Sequence, residues 1–290
     1  MKNIFVLIIA TLLLTSCEDV VQIDLNKTTP RINIDAWLTN KTGEQVIKIT
    51  QTVAYSDTTP APGIAGAIIT VTDNEGKVYA FTDNGNGKYI WKPAGNEVFG
   101  KIGNTYTLDV KLNGLAYQSV SKMNPVPAID SISTEFRKEQ LGSDDGYWAV
   151  LNANDLPGIG NCYWIKTYKN GKYLSKPGEI NIAYDAAFKN SKVDNQPFIV
   201  PIAEGINPST TDRKPPYALN DKIHVEVWSI TEEAYDYISQ AQTEMTNGGL
   251  FATIPSNVTS NIKVINDNGA KKPVGFFCVG AVSAADKTVK

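Results

Sequence analysis

Thr105-Tyr106-Thr107-Leu108-Asp109-Val110-Lys111-Leu112 runs into Asn113-Gly114 and out again through Ala116-Tyr117-Gln118-Ser119-Val120-Ser121. Two runs of β-branched, aromatic and aliphatic residues flank Asn-Gly, the favoured pair for a type I′ turn. The stretch therefore reads as a β-hairpin.

The same grammar extends toward the N-terminus. Ile32, Ile34 and Ala36 alternate with Asn33, Asp35 and Trp37, and Val46 to Thr52 keeps the two-residue period. Residues 67–72 and 78–82 flank the turn Asp73-Asn74-Glu75-Gly76, and Asp83-Asn84-Gly85-Asn86-Gly87 turns the chain into Tyr89-Ile90-Trp91. About seven short strands with regular turn signals predict an immunoglobulin-like or transthyretin-like β-sandwich over residues 31–124. No Cys-Trp-Cys core is present, so a true immunoglobulin domain is not implied.

Asn124-Pro125-Val126-Pro127 interrupts this pattern. Two prolines impose extended backbone and remove donors, which places a domain boundary here. Residues 125–290 read as a second β-rich domain. Strands are expected over 129–137, 147–153 and 161–169, with Asn170-Gly171 turning into Lys172-Tyr173-Leu174. Residues 222–228 and 262–265 and a closing strand over 274–281 follow. One helix is expected near 231–246. Ser229 with Glu232 suits a capping box. Ala234, Tyr237, Ile238, Ala241 and Met245 share one face, and Asn247-Gly248-Gly249 stops the helix.

Between these elements lies a long irregular stretch, Ser175 to Asn220, rich in Pro, Asn, Asp and Lys. Such segments are often functional or mobile. Tyr184, Phe188, Phe198 and Tyr217 fall in it without a period, so any left exposed are candidates for ligand or partner binding.

The N-terminus carries a different signal. Lys2 precedes an apolar run from Ile4 to Leu14, the length of a signal-peptide core and too short to span a bilayer. Leu14-Thr15-Ser16-Cys17 then looks like a bacterial lipobox. On that reading residues 1–16 are a removed signal peptide, Cys17 is lipidated, and residues 17–30 are a tether. Acyl chains anchor by area, at about 0.8 kcal/mol per buried methylene. Glu18-Asp19 resembles the acidic signal behind the lipidated cysteine of surface-exposed lipoproteins in Bacteroidetes.

A net charge of -3 offers no basic footprint for nucleic acid. Cys162 and Cys278, each beside aromatics, are expected either to pair in an oxidising envelope or to stay as buried free thiols. The single histidine, His224, sits in the alternating run Ile223-His224-Val225-Glu226-Val227-Trp228 and reads as the polar face of a strand. One imidazole is poor material for a metal centre, and no metal or cofactor is expected. No nucleophile elbow, zinc-protease motif or phosphate loop occurs, so no catalytic residue is assigned. Asp83 to Gly87, Asp144 to Gly146 and Asp267 to Gly269 read as turns rather than calcium loops. Tyr147, Trp148, Tyr163, Trp164 and Tyr168 could stack on sugars or peptides, with core packing the simpler reading.

Several ordered segments carry a resemblance. They are Asn33-Ile34-Asp35-Ala36-Trp37-Leu38-Thr39, Gly66 to Asp73, Gly103 to Leu108, Pro125 to Ile132, Val225 to Ile230 and Gly275-Phe276-Phe277. Together they resemble DUF4249, a family of Bacteroidetes outer-membrane lipoproteins. The resemblance implies a surface lipoprotein partnering an outer-membrane TonB-dependent transporter, where, lacking an enzyme motif, it would hold substrate or gate the barrel; the aromatics make a glycan or peptide the candidate ligand. A cell-envelope adhesion module is the alternative, and an uncharacterised hydrolase a third.

Overall fold

Seven strands form the first half of the chain. They are β1 (Ile32–Thr39), β2 (Gln45–Gln51), β3 (Ile68–Asp73), β4 (Val78–Asp83), β5 (Lys88–Trp91), β6 (Thr105–Leu112) and β7 (Leu115–Lys122). The second half adds β8 (Ser131–Arg137), β9 (Gly146–Asn152), β10 (Cys162–Lys169), β11 (Lys172–Tyr173), β12 (Asn181–Tyr184) and β13 (Lys222–Ile230). The last three are β14 (Lys263–Val264), β15 (Val274–Gly280) and β16 (Val282–Thr288). This computed structural model describes residues 29–290 except 55–56, 140–143, 210–213, 249–252, 255 and 267–270. The expected signal segment 1–16, Cys17, the expected tether up to 28, Gly249 and the expected turn at 267–269 lie outside the described residues.

Residues 31–52 and 60–290 form one unit. Among the other described residues, 29–30 and those within 53–59 group separately. In that second group the Thr59 amide and hydroxyl both donate to Asp57 Oδ1, at 2.9 and 2.8 Å.

The protein is mainly β, and its largest element is a nine-stranded sheet in the order β14-β7-β6-β3-β4-β5-β2-β1-β15. The β6–β7 hairpin pairs from Thr105↔Lys122 to Leu112↔Leu115. Its turn holds Asn113 at φ 50° and Gly114 at φ 77°, as a type I′ turn requires. Alternation then sorts the side chains: Tyr106, Leu108, Val110 and Leu112 point inward and are buried, while Thr105, Thr107, Asp109 and Lys111 lie outside or between.

Two of the nine strands come from far along the chain. β15 pairs in parallel with β1, from Asn33↔Val274 to Thr39↔Gly280, and β14 pairs with β7. The sheet curls until β7 and β15 approach. The Val279 amide donates to Ser121 Oγ at 3.0 Å. Asn261 spans the remaining gap like a strand residue. Its Nδ2 donates to Phe277 O at 2.8 Å and its Oδ1 accepts the Phe277 amide at 3.0 Å, while its main-chain carbonyl accepts Ser119 Oγ at 3.1 Å. Ile34, Leu38, Ile49, Val71, Tyr89, Phe99, Leu108 and Phe277 fill the interior. Each such side chain contributes about 1.5–3 kcal/mol by burial.

The second sheet runs β11-β10-β13-β16, with β12 also on β10, and β8 and β9 form a separate hairpin. One face, with Tyr163, Ile165, Val225 and Val227, buries a second core against Ile132, Leu151, Phe198 and Tyr217. The other face carries Cys162, Trp164, Glu226 and Trp228, and packs with Trp37, Phe276 and the helix Glu232–Thr246. The proline stretch marks the passage between the two cores, and Val126 packs against both.

The helix cap differs from the sequence expectation. Thr231 is the N-cap, its Oγ1 accepting the Ala234 amide at 3.2 Å. Ser229 cannot serve because it is the buried penultimate residue of β13, with its Oγ donating to Asn124 O and accepting the Ala281 amide. The buried stripe is Ala234, Tyr235 and Ile238, whereas Met245 is exposed. Cys162 and Cys278 are both buried free thiols, so of the two alternatives the disulfide is not formed. Burial raises them to about 12 and about 11 respectively.

Candidate binding groove

The irregular stretch 175–220 is organised by a few polar anchors. A 3-10 turn, Pro177–Glu179, sits on a buried carboxylate: Glu179 accepts the Lys176 amide at 2.9 Å and the Ser209 amide and hydroxyl at 3.2 Å. β12 follows, held on β10 from Cys162↔Tyr184 to Ile165↔Asn181. The loop after β12 is fixed to the helix by Lys189, which meets Asp236 at 2.7 Å and Glu232 at 2.9 Å. Those carboxylates are four residues apart on one helical face. Their bonds hold the Lys189 ammonium protonated well above the ordinary lysine range, Asp236 contributing most. A short helical turn, Val200–Ala203, completes the wall.

These elements enclose an open groove of about 260 Å³. Its lining includes Ile180, Asn181 and Ile182 from β12 and its approach, Phe188 from the loop, Pro201 and Ile202 from the helical turn, and Tyr235, Ser239 and Gln242 from the helix. Gly205 is required beside it, because a Cβ there would lie 2.5 Å from Asn181 Nδ2. Among these lining residues there is no carboxylate, imidazole, thiol or amine; Tyr235 alone titrates, and burial raises its hydroxyl.

The four aromatics singled out in the sequence divide. Phe188 lines the groove and is 49 % exposed. Tyr184 is half-buried and packs edge-on against Tyr235, with ring centroids 5.9 Å apart. Phe198 and Tyr217 belong to the second core, 5 % and 1 % exposed, and are corrected from binding candidates to packing residues. Tyr163 stacks edge-on with Phe198, and the Tyr217 hydroxyl donates to Ile206 O, so both aromatics are fully engaged inside. Asn181, Ser239 and Gln242 were missed, since amides and serines in a polar sequence carry no periodic signal.

A second polar cluster lies where the two sheets meet. Lys166 Nζ sits 3.8 Å from the Trp164 ring centre and 3.6 Å from that of Trp228. Glu226, buried on β13, is bonded by Lys41 from the turn after β1, by Trp228 Nε1 at 2.7 Å and by His224 Nε2 at 3.2 Å. Burial alone would raise the Glu226 carboxyl, but these bonds hold it below the usual range. His224 also meets Asp286 at 2.9 Å, so the histidine is a strand residue bridging two carboxylates. Burial lowers the Lys166 ammonium to about 8, with Glu226 and Asp35 opposing. This cluster joins the sheets; its carboxylate at Glu226 is fully committed to internal partners.

A curled sheet with a second sheet and one helix, bearing a groove without charged lining, defines a mainly β protein. The chain belongs to the family described as Domain of unknown function (DUF4249), which it matches over residues 18–286. No curated protein matches it. Among the described residues no helix is long and apolar enough to cross a membrane.

Proposed function

We propose that the mature chain begins at Cys17, is held by lipid in the outer membrane facing the cell exterior, and serves as a non-enzymatic substrate-binding or accessory subunit of a TonB-dependent uptake system. The groove carries the reading. Apolar side chains, amides and the Ser239 and Tyr235 hydroxyls can hold a ligand, and no carboxylate, imidazole, thiol or amine stands among them to transform it. The anchor rests on Ile4 to Leu14 followed by Leu14-Thr15-Ser16-Cys17, and the family match starting at residue 18 agrees with maturation at Cys17. The acidic pair Glu18-Asp19 supports export to the surface.

Cells fed an alkyne fatty acid test the anchor. Wild-type chain should take up the label and Cys17→Ala should not; equal labelling of the variant would refute it. Co-purification from native membranes tests the partner: a stoichiometric outer-membrane barrel supports the uptake role, and a chain recovered alone contradicts it.

A further inference from the structure

We infer that the groove between the helix and residues 178–205 is a subsite for one ring of a neutral sugar. This deepens the binding reading above and rests on it. The key is the orientation of two amides. Asn181 Nδ2 donates to Ile202 O at 2.9 Å. Gln242 Nε2 donates to Pro177 O at 2.8 Å and Ile180 O at 3.3 Å. A carbonyl oxygen can only accept, so the NH2 end of each amide must face it, and the assignment of nitrogen and oxygen follows.

The consequence falls on the other ends. Asn181 Oδ1 and Gln242 Oε1 accept no hydrogen bond among the described residues, and both oxygens keep accessible surface. Both side chains line the groove, so each oxygen is an acceptor open to a bound group. A ligand that donates hydrogen bonds fits these two acceptors. The Ser239 hydroxyl adds a group that can give or take, and the half-exposed Phe188 ring offers a flat apolar face. Hydroxyls beside an apolar C–H face are what a sugar ring presents.

Charge and size narrow the class. With no cation or anion in the lining, a uronic acid, phosphate or ammonium group would find no counter-charge. The volume of about 260 Å³ is just under the range of about 300–1,000 Å³ usual for small-molecule sites, so it takes one ring or the end of a chain. A peptide is the weaker fit. Extended peptides bind by main-chain pairing, and the carbonyls of Pro177, Ile180 and Ile202 are already occupied by the two amides.

The test is calorimetric titration of the purified full chain with three probe sets: neutral oligosaccharides, uronic-acid oligosaccharides and short neutral peptides. Binding of a neutral oligosaccharide is expected, weakened about tenfold by Phe188→Ala and restored by Phe188→Trp. Ser239→Ala should weaken it as well, with unchanged thermal midpoints showing both variants folded. Binding that ignores these substitutions, preference for peptides or uronic acids, or no binding by any probe would overturn the sugar assignment. Such a failure leaves the uptake reading standing if the chain still co-purifies with a barrel; loss of the barrel with intact sugar binding does the reverse.

Discussion

Lys166 Nζ lies 3.6 Å from the centre of the Trp228 ring, one strand over on the second sheet, with Trp164 on its other flank. Lys166 and Glu226 are register partners, as are Trp164 and Trp228. Strand pairing alone therefore stacks a cation between two indoles at the junction with the curled sheet. Cation–π contacts favour the charged amine, while removal from water opposes it. Desolvation wins, and the ammonium is lowered to about 8.

The first prediction follows from that shift. Below about pH 8 the amine is protonated in both folded and unfolded chains, and the folded chain bears the desolvation cost. Between about 8 and the ordinary lysine value of 10.5 the unfolded chain binds the extra proton, so the Lys166 contribution to stability rises with pH. Cys162 and Cys278 oppose it above about 9, because their thiols ionise first in the unfolded chain. Carbon-13 NMR of the lysine ε-methylenes should show one lysine titrating near pH 8, absent in Lys166→Met. Uniform titration near 10.5 would contradict the account.

Removing Lys41 tests the junction from the other side. Breaking a buried ion pair costs about 3–5 kcal/mol. Lys41 is 44 % exposed, and His224 and Trp228 stay on Glu226, so screening reduces the expected cost of Lys41→Met to about 1–2 kcal/mol. Pairing the change with Glu226→Gln should make the two costs sub-additive in urea melts. Full additivity would show that the contact is energetically idle.

Asn261 is predicted to be the costliest single asparagine in the described loops. Asn261→Ala leaves the Phe277 amide and carbonyl without partners where β7 and β15 approach. Each orphaned group costs about 1–3 kcal/mol, so a loss of about 2–4 kcal/mol is expected in denaturant unfolding. Amide hydrogen exchange at Phe277 should accelerate together with that loss. Slow exchange in the variant would mean that the seam closes without Asn261.

Two glycines should behave differently. At Gly275 the φ is +93° and a Cβ would lie 2.2 Å from Ile34 O, so Gly275→Ala must push β15 off β1. Gly114 has φ +77° but open space around it, so its alanine variant bears only the backbone strain, about 1 kcal/mol. Thermal unfolding should rank Gly275→Ala well below Gly114→Ala; equal midpoints would argue against the parallel pairing.

How much was legible in the sequence depended on range. The hairpin at Asn113-Gly114 was readable because its turn and both strands are local. The parallel partnership of β1 with β15 was not, since nothing in Ile32–Thr39 names a partner more than two hundred residues away. The cap moved from Ser229 to Thr231 because tertiary bonds from Asn124 and Ala281 claimed the serine. Aperiodic aromatics were half informative. Phe188 reached the groove, but Phe198 and Tyr217 filled the second core, and sequence carries no mark that separates those fates. The groove's amides were invisible beforehand, because their meaning lies in which end faces a carbonyl.

The most direct test of the central claim is detergent extraction of the tagged, lipidated chain from its native membrane, with mass spectrometry of the proteins recovered. The account predicts an outer-membrane transporter barrel in stoichiometric amount, lost when Cys17→Ala keeps the chain from the membrane. Recovery of the lipidated chain alone would contradict the role of an uptake subunit.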